Sequence, residues 1–109
     1  MPRPARLSGD HVASRLRTLP GWTLHDGKIH RVFEFPDFVA AFGFMTAAAH
    51  AAEALEHHPD WSNVWNRVTV DLSTHDAGGL TELDFALAER MEALAAEPVR
   101  RRLPEIPDA

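Results

Sequence analysis

Apolar side chains recur every three or four positions in three segments of the chain, which is the period of an amphipathic helix. The first segment, about residues 9–18, follows Ser8, a residue type that caps helix N-termini. The last segment begins at the capping-box sequence TELD, residues 81–84, with Asp84 in place of the usual Glu or Gln, and ends before Pro98. The sequence therefore predicts a first and a last helix with defined ends.

The middle segment, residues 37–57, predicts the longest helix, with the carboxylate of Asp37 at its positive end. Its expected core-facing stripe consists of apolar residues at steps of three or four: Phe38, Phe42, Met45, Ala49, Ala52 and Leu55. The small residues in this stripe permit close approach to a sheet or to a partner helix. The helix must end near His57, because Pro59 keeps the residue before it, His58, out of the helical conformation.

Alternating apolar and polar positions predict strands between the helices. Residues 22–25 and 28–35 flank Asp26-Gly27, a strong signal for a two-residue hairpin turn. Residues 63–72 alternate most clearly and predict one strand with a single apolar face: Val64, Val68, Val70 and Leu72. Asn66 falls on that apolar face without an explanation. The order helix, hairpin, helix, strand, helix predicts an α+β fold, an antiparallel sheet with helices packed on one face.

Length and charge narrow the class of protein further. The 109 residues predict a single domain, residues 1–109, with a core over about 7–96 and a flexible tail over 98–109. The formal charge of −5 has the wrong sign for binding nucleic acid, and the basic cluster Arg100-Arg101-Arg102 falls in the tail. The absence of Cys excludes disulfides and a thiolate nucleophile. No apolar run approaches the roughly 20 residues of a membrane span, so we expect a cytoplasmic protein with no membrane contact.

Candidate chemistry is concentrated in EALEHHPDW, residues 53–61, where two histidines lie at the predicted end of the middle helix. The negative end of the helix macrodipole favours the charged form of His57. Glu53, one turn earlier, is spaced to reach the same ring. A histidine held in this way can donate and accept protons in one catalytic cycle. The same features are also typical of a surface histidine that only stabilises the end of a helix.

The neighbouring residues favour a ligand site over a metal site. Pro59 directs His58 away from the helix, so the two adjacent rings diverge, which suits two contacts on one ligand better than two bonds to one metal ion. Trp61 offers a flat apolar surface for stacking a ring, although a role in the core explains it equally well. His75 is expected at the end of the strand that follows. No serine lies in a GxSxG motif, which disfavours a serine hydrolase.

The motif and its surroundings resemble the signature of the pterin-4a-carbinolamine dehydratases over about residues 7–95. The residues that carry the resemblance keep the family's order and spacing: Glu53, His57, His58, Pro59, Trp61, Trp65, His75 and Asp84. Further matching segments are LPGW at 19–22, AFGFMT at 41–46 and LSTHDAGGLTELD at 72–84. Asp60 and Trp65 replace a frequent Glu and a frequent Tyr, and both keep the chemical type.

The resemblance implies an enzyme that removes water from 4a-hydroxytetrahydropterin, the pterin product of aromatic amino-acid hydroxylases. Loss of water gives quinonoid dihydropterin, which is then reduced to complete the recycling of tetrahydropterin. The pterin is the substrate, so no metal and no further cofactor are expected. The family also implies a homodimer or homotetramer, for which the Ala-rich helix 37–57 is the expected interface.

The resemblance also assigns roles to individual residues. His57 and His75 match the family's acid and base, and we expect His57 to be the acid because of the helix dipole and the nearby Glu53. His58 matches the histidine that orients the substrate, and Asp84 the acidic residue that supports the site. Five further residues match positions that bind substrate or shape its pocket: Glu53, Pro59, Trp61, Ser73 and Thr74.

Two alternatives differ in class from the dehydratase. Some proteins of this fold act as dimerisation or assembly cofactors of other proteins, and a chain with only that role would be expected to lose site histidines. A metal-dependent hydrolase would require bound zinc and would lose activity with a chelator.

Overall fold

The computed structural model describes residues 4–97, so the tail predicted for 98–109, with Arg100-Arg101-Arg102, lies outside the described residues. Three helices alternate with strands in this part of the chain. The elements are α1 (Gly9–Leu16), β1 (Thr23–His25), β2 (Lys28–Glu34), α2 (Phe38–Leu55), β3 (Asp60–Val64), β4 (Arg67–Leu72) and α3 (Glu82–Ala95), with a short 3₁₀ helix at His75–Ala77. The predicted caps are present, since Ser8, Asp37 and Thr81 each accept a backbone N–H of the helix that they begin.

The four strands form one antiparallel sheet in the order β1-β2-β4-β3. Alternate residues of the two central strands are buried: Ile29, Phe33, Val68, Val70 and Leu72. These side chains pack with α2 and α3 in one hydrophobic cluster, whereas the residues between them are half-buried or exposed. This alternation confirms the predicted α+β fold with helices on one face of the sheet.

Residues 63–72 form two strands joined by a turn, so the prediction of one strand was wrong. The chain reverses at Trp65 and Asn66, and Trp65 has a left-handed φ of +50°. The turn was missed because it contains no glycine or proline. Asn66 now has an explanation, because its side-chain amide donates to the carbonyl of Phe35 at 3.0 Å and its own carbonyl accepts the N–H of Phe35 at 2.9 Å. The reciprocal pair attaches the turn to the end of β2.

The buried face of α2 differs from the predicted stripe. The buried residues of this helix are Ala40, Ala41, Gly43, Phe44, Ala48, Ala51 and Ala52. Phe38 and Phe42 were expected in the core but are 48% and 55% exposed. Phe44 occupies the core instead, with its ring centroid 4.7 Å from that of Phe33. The prediction failed because α2 is apolar on most of its circumference, so periodicity alone does not say which side packs on the sheet.

Within residues 4–97, α2 is the one helix whose 18-residue length and apolar composition would be compatible with a membrane span. The expectation that no apolar run approaches the length of a membrane span therefore has this one exception, by length and composition. Core helices of folded domains can have the same composition, and in this structure α2 packs against β4 and α3, with 39% of the segment buried.

α3 carries one of the candidate site residues and is attached to its neighbours by polar contacts. Glu92 accepts hydrogen bonds from Trp22 Nε1 at 2.9 Å and from Arg31 Nε at 2.7 Å, which connect α3 to the sheet. Arg15 of α1 binds Glu82 and Glu89. The hydrogen bond to Glu82 raises the pKa of Arg15, and the bond to Glu89 adds to this effect. These contacts fix α3 at both ends against the rest of the fold.

Candidate active site

The end of α2 determines where His57 lies. Glu56 has a left-handed conformation with φ +51°, its N–H donates to the carbonyl of Glu53, and the N–H of His57 donates to that of Ala52 at 3.0 Å. This pattern of two bonds around a left-handed residue is a Schellman motif, which stops a helix and turns the chain. His57 is therefore the second residue beyond the helix and not its last residue, as the sequence had suggested.

His57 is buried against a carboxylate on α3. Its Nε2 lies 2.6 Å from Oδ1 of Asp84, and the two side chains are 5% and 0% exposed. The residue expected to reach the His57 ring, Glu53, instead contacts Nε2 of His58 at 2.6 Å. The spacing rule placed Glu53 beside His57 on the assumption that the helix continued. The Schellman turn breaks that assumption and directs the two rings to different carboxylates.

Asp84 is bound on both of its oxygens. Oδ2 accepts the backbone N–H of Thr81 and the hydroxyl of Thr74, each at 2.9 Å, and Oδ1 faces His57. The capping box predicted from TELD is thus present, and the capping carboxylate also reaches His57. An ionised carboxylate can only accept hydrogen bonds, and the two donors on Oδ2 match that form of Asp84. The proton between Asp84 and His57 is therefore assigned to Nε2, and Nδ1 is the ring nitrogen that Asp84 does not contact.

His58 and Glu53 form a second carboxylate–imidazole pair on the surface. Their side chains are 65% and 77% exposed, in contrast to the buried pair of His57 and Asp84. An exposed pair of this kind contributes little to stability and holds its ring loosely. The exposed ring of His58 is therefore accessible to a ligand, and Glu53 is its partner in this structure.

His75 lies at the surface on a closed loop. β4 ends at Leu72, so the strand does not reach His75 as predicted, and the loop that follows is closed by the backbone bond from Thr74 N–H to the carbonyl of Gly79 at 2.9 Å. Gly78 takes a left-handed φ of +72°, which lets the short 3₁₀ helix turn back. His75 is exposed, and the residue before it, Thr74, contacts Asp84. The loop therefore attaches His75 to the buried pair through Thr74.

The remaining residues of the predicted pocket lie around the chain reversal after α2 and at the end of β4. Pro59, Trp61 and Ser73 are half-buried, and Trp61 packs against the hydrophobic core from β3. Thr74 is only 2% exposed, and its hydroxyl contacts Asp84. The role of these residues in substrate binding stays a prediction.

Two contacts of this site were not apparent from the sequence. One is the hydrogen bond of Thr74 to Asp84, and the other is the hydroxyl of Thr81, which lies 2.8 Å from that of Thr74. The capping box was the available signal, because it places Thr81 and Asp84 together at one helix end. In the described part of the chain, no three His, Asp or Glu side chains are arranged to hold a metal ion.

The fold and the site together define an α+β protein with a buried carboxylate–imidazole pair beside exposed histidines. A family model described as pterin 4 alpha carbinolamine dehydratase matches residues 5–94. A relative from Solibacter usitatus is 56% identical over 84% of this chain and 96% of its own length. A relative from Rhizobium johnstonii is 57% identical over 86% and 95%. Both relatives are provisionally named pterin-4-alpha-carbinolamine dehydratases.

A solved structure from Brucella melitensis, described as a transcriptional coactivator/pterin dehydratase, superposes with a TM-score of 0.81. It is 49% identical in sequence, and the match covers 84% of this chain and 99% of that one. The chain belongs to the pterin 4 alpha carbinolamine dehydratase family, as the resemblance in the sequence predicted.

The site geometry predicts the tautomer of His57. At a pH where the ring is neutral, long-range ¹H–¹⁵N correlation spectra should show the proton on Nε2, because that nitrogen donates to Asp84. His30 is the internal control, since its Nδ1 contacts Asp71 at 2.9 Å and should carry the proton instead. A neutral His57 protonated on Nδ1 would contradict this assignment of the pair.

Proposed function

We propose that this chain catalyses the dehydration of a 4a-hydroxytetrahydropterin to quinonoid dihydropterin and water. The observation that carries the proposal is the buried pair of His57 and Asp84, found in a chain that belongs to the dehydratase family. In the reaction, the bond from C4a to the hydroxyl oxygen breaks, and the departing oxygen takes a proton from an acid. A proton on a ring nitrogen passes to a base as the new carbon–nitrogen double bond forms. The reaction needs only proton transfer and a surface that holds the ring.

In this proposal His57 exchanges its proton at Nδ1, since Nε2 is occupied by Asp84. The carboxylate of Asp84 contacts the His57 ring at 2.6 Å, and this contact supports His57 as the acid in place of the expected contact with Glu53. His75, exposed on its loop, is the partner base. A buried acid and an exposed base have different environments, as two groups with opposite tasks require.

His58 orients the substrate in this scheme, and Glu53 contacts the ring of His58 at 2.6 Å. Trp61 and Pro59 are positioned directly beyond His58, where the chain enters β3. Together with Ser73 and Thr74 they form the proposed wall of the pterin pocket. The pterin is the substrate, and we propose no metal or further cofactor.

The biological setting follows from the substrate. A 4a-hydroxytetrahydropterin is formed when an aromatic amino-acid hydroxylase consumes tetrahydropterin, so we propose a functional link to such an enzyme. We also propose a cytoplasmic location, without contacts to membrane or nucleic acid.

The test is direct observation of the reaction. The 4a-carbinolamine is generated with an aromatic amino-acid hydroxylase, and its absorbance decay is followed with and without this protein after treatment with EDTA. The proposal predicts faster decay than the spontaneous rate, unaffected by the chelator. Decay at the spontaneous rate would refute the dehydratase proposal, and a loss of activity on chelation would favour the metal-dependent alternative.

The variant His57→Gln sharpens this test, because the Gln amide can still donate to Asp84 but transfers no proton. We expect turnover to fall by about 10²- to 10⁴-fold, the range for loss of an acid or base. His30→Gln, on the outer face of the sheet, is the matched control and should retain wild-type turnover. If His57→Gln remains nearly fully active while His75→Gln does not, the assignment of His57 as the acid is wrong.

We further propose that two copies of the chain associate through the exposed apolar residues of α2. Phe38, Val39 and Phe42 are each about half exposed, at 48%, 52% and 55%. Large exposed apolar surfaces of this kind mark interaction sites. The description of the Brucella melitensis protein as a coactivator gives a second candidate function, binding of another protein, and that role is compatible with catalysis.

Association through α2 predicts that Phe42→Glu lowers the oligomeric state, because a carboxylate would have to be buried in the interface. Sedimentation equilibrium of the wild type and the variant measures this. Leu24→Glu is the matched control, since Leu24 is equally exposed at 56% but lies on β1. A monomeric wild type, or a Phe42→Glu variant with unchanged mass, would contradict the proposed interface.

A further inference from the structure

A continuous set of buried polar side chains leads from the start of α3 to His57. His57 is 4% exposed, Thr74 is 2% exposed, and both Thr81 and Asp84 are 0% exposed. Buried polar groups are destabilising unless every donor and acceptor is matched. The proton of each group in the set is therefore determined by its neighbours.

The direction of each hydrogen bond follows from the two fixed ends. Thr81 Oγ1 accepts the backbone N–H of Leu83 at 3.2 Å, which leaves its own hydroxyl proton to donate. The Thr74 hydroxyl donates to Oδ2 of Asp84 at 2.9 Å, so it can receive the Thr81 proton at 2.8 Å. Thr81 then donates to Thr74, and Thr74 donates to Oδ2 of Asp84. His57 Nε2 donates to the other carboxylate oxygen, Oδ1.

Each of the two hydroxyls accepts one hydrogen bond and donates another. Hydrogen bonds arranged in such a series strengthen one another in a low-dielectric interior. The Thr81 hydroxyl polarises that of Thr74, which then holds Oδ2 of Asp84 firmly. With Oδ2 fixed, the plane of the carboxylate is fixed, and Oδ1 stays in line with Nε2 of His57. The tautomer and orientation of the catalytic imidazole therefore depend on a residue with no contact to it.

We propose that Thr81 is a positioning residue for His57, acting through Thr74 and Asp84. The proposal rests on the proposed dehydratase function for its kinetic consequence, but its structural part does not require any activity. Thr81 then has two roles. It is the N-cap of α3, and it donates the first hydrogen bond of the series that leads to His57. An N-cap needs only an acceptor oxygen. The hydroxyl proton that Thr81 donates to Thr74 is therefore needed for positioning His57 but not for capping α3.

The test compares Thr81→Val, which removes the hydroxyl at nearly constant shape, with Thr81→Ser, which retains it. In Thr81→Val the Hε2 resonance of His57 should move upfield, and kcat should fall by about fivefold, the effect of one network hydrogen bond, with KM little changed. Thr81→Ser should restore both the resonance and most of the turnover. A Thr81→Val protein with wild-type Hε2 shift and kcat would overturn the proposal.

Loss of a helix cap is the effect to be separated from loss of positioning. Ser8→Ala is the matched control, because it removes the N-cap of α1, which accepts the N–H of His11, far from the site in sequence. We expect this variant to lower the melting temperature to a similar extent while kcat and the His57 resonance stay unchanged. If Ser8→Ala reduces kcat as much as Thr81→Val does, the effect of Thr81 is only one of stability.

A double-substitution cycle tests the route of the effect. If Thr81 acts through Thr74, then Thr81→Val should change kcat and the Hε2 shift little once Thr74→Val is present, because the first donor has lost its acceptor. Fully additive effects would show that Thr81 acts by another route.

The wild-type protein offers a measurement that needs no substitution. Buried hydroxyl protons that donate to fixed partners exchange slowly, so those of Thr74 and Thr81 should be visible by NMR, with a cross-peak between the two. Rapid exchange of the Thr81 hydroxyl proton would contradict the proposed series of hydrogen bonds. If the wild type shows the predicted NMR signals but no dehydratase activity, the proposed function fails while the positioning role of Thr81 stands.

Discussion

The rest of the site depends on one buried carboxylate, that of Asp84. A fully buried ionised group is destabilising unless several donors surround it, and Asp84 has three: the N–H of Thr81, the hydroxyl of Thr74 and Nε2 of His57. These donors come from the start of α3, the loop after β4 and the segment after α2. Satisfying the charge therefore requires the segment after α2 to meet the loop after β4 and the start of α3, and the same requirement assembles the proposed active site.

Two local backbone conformations bring these segments together. Glu56 adopts a left-handed conformation that is unfavourable for a residue other than glycine, and the Schellman bonds at the end of α2 stabilise it. The turn directs His57 into the interior and leaves His58 outside with Glu53. The backbone bonds between Thr74 and Gly79 close the second loop and present His75 beside Thr74. One buried and two exposed histidines result from a sequence in which two of them are adjacent.

Much of this fold was predictable because local signals decide it. Ser8, Asp37 and the capping box at Thr81 determine where the helices begin, and Asp26-Gly27 determines the first hairpin. Where local signals were ambiguous, the predictions failed. Phe42 and Phe44 are equally suited to a core by composition, and only packing on the sheet selects Phe44.

The site was predictable as a set of residues but not as a set of contacts. Asp84 was identified as a cap, yet nothing in residues 81–84 shows that its second oxygen reaches a histidine more than twenty positions earlier. The partner of Glu53 was assigned by helical spacing, which no longer applies once the chain turns at Glu56. Contacts that depend on how segments meet in space are not encoded in the spacing within one segment.

The central claim is that His57 and His58, from the segment after α2, and His75, from the loop after β4, face one pterin. NMR titration of the ¹⁵N-labelled histidine rings with a stable dihydropterin, which resembles the product, tests this most directly. The account predicts shifts in His57 Nδ1 and in the rings of His58 and His75, with saturation at one common affinity, while His25 and His30 on the outer face of the sheet stay unchanged. Shifts confined to the outer-face histidines, or separate affinities for His57 and His75, would contradict it.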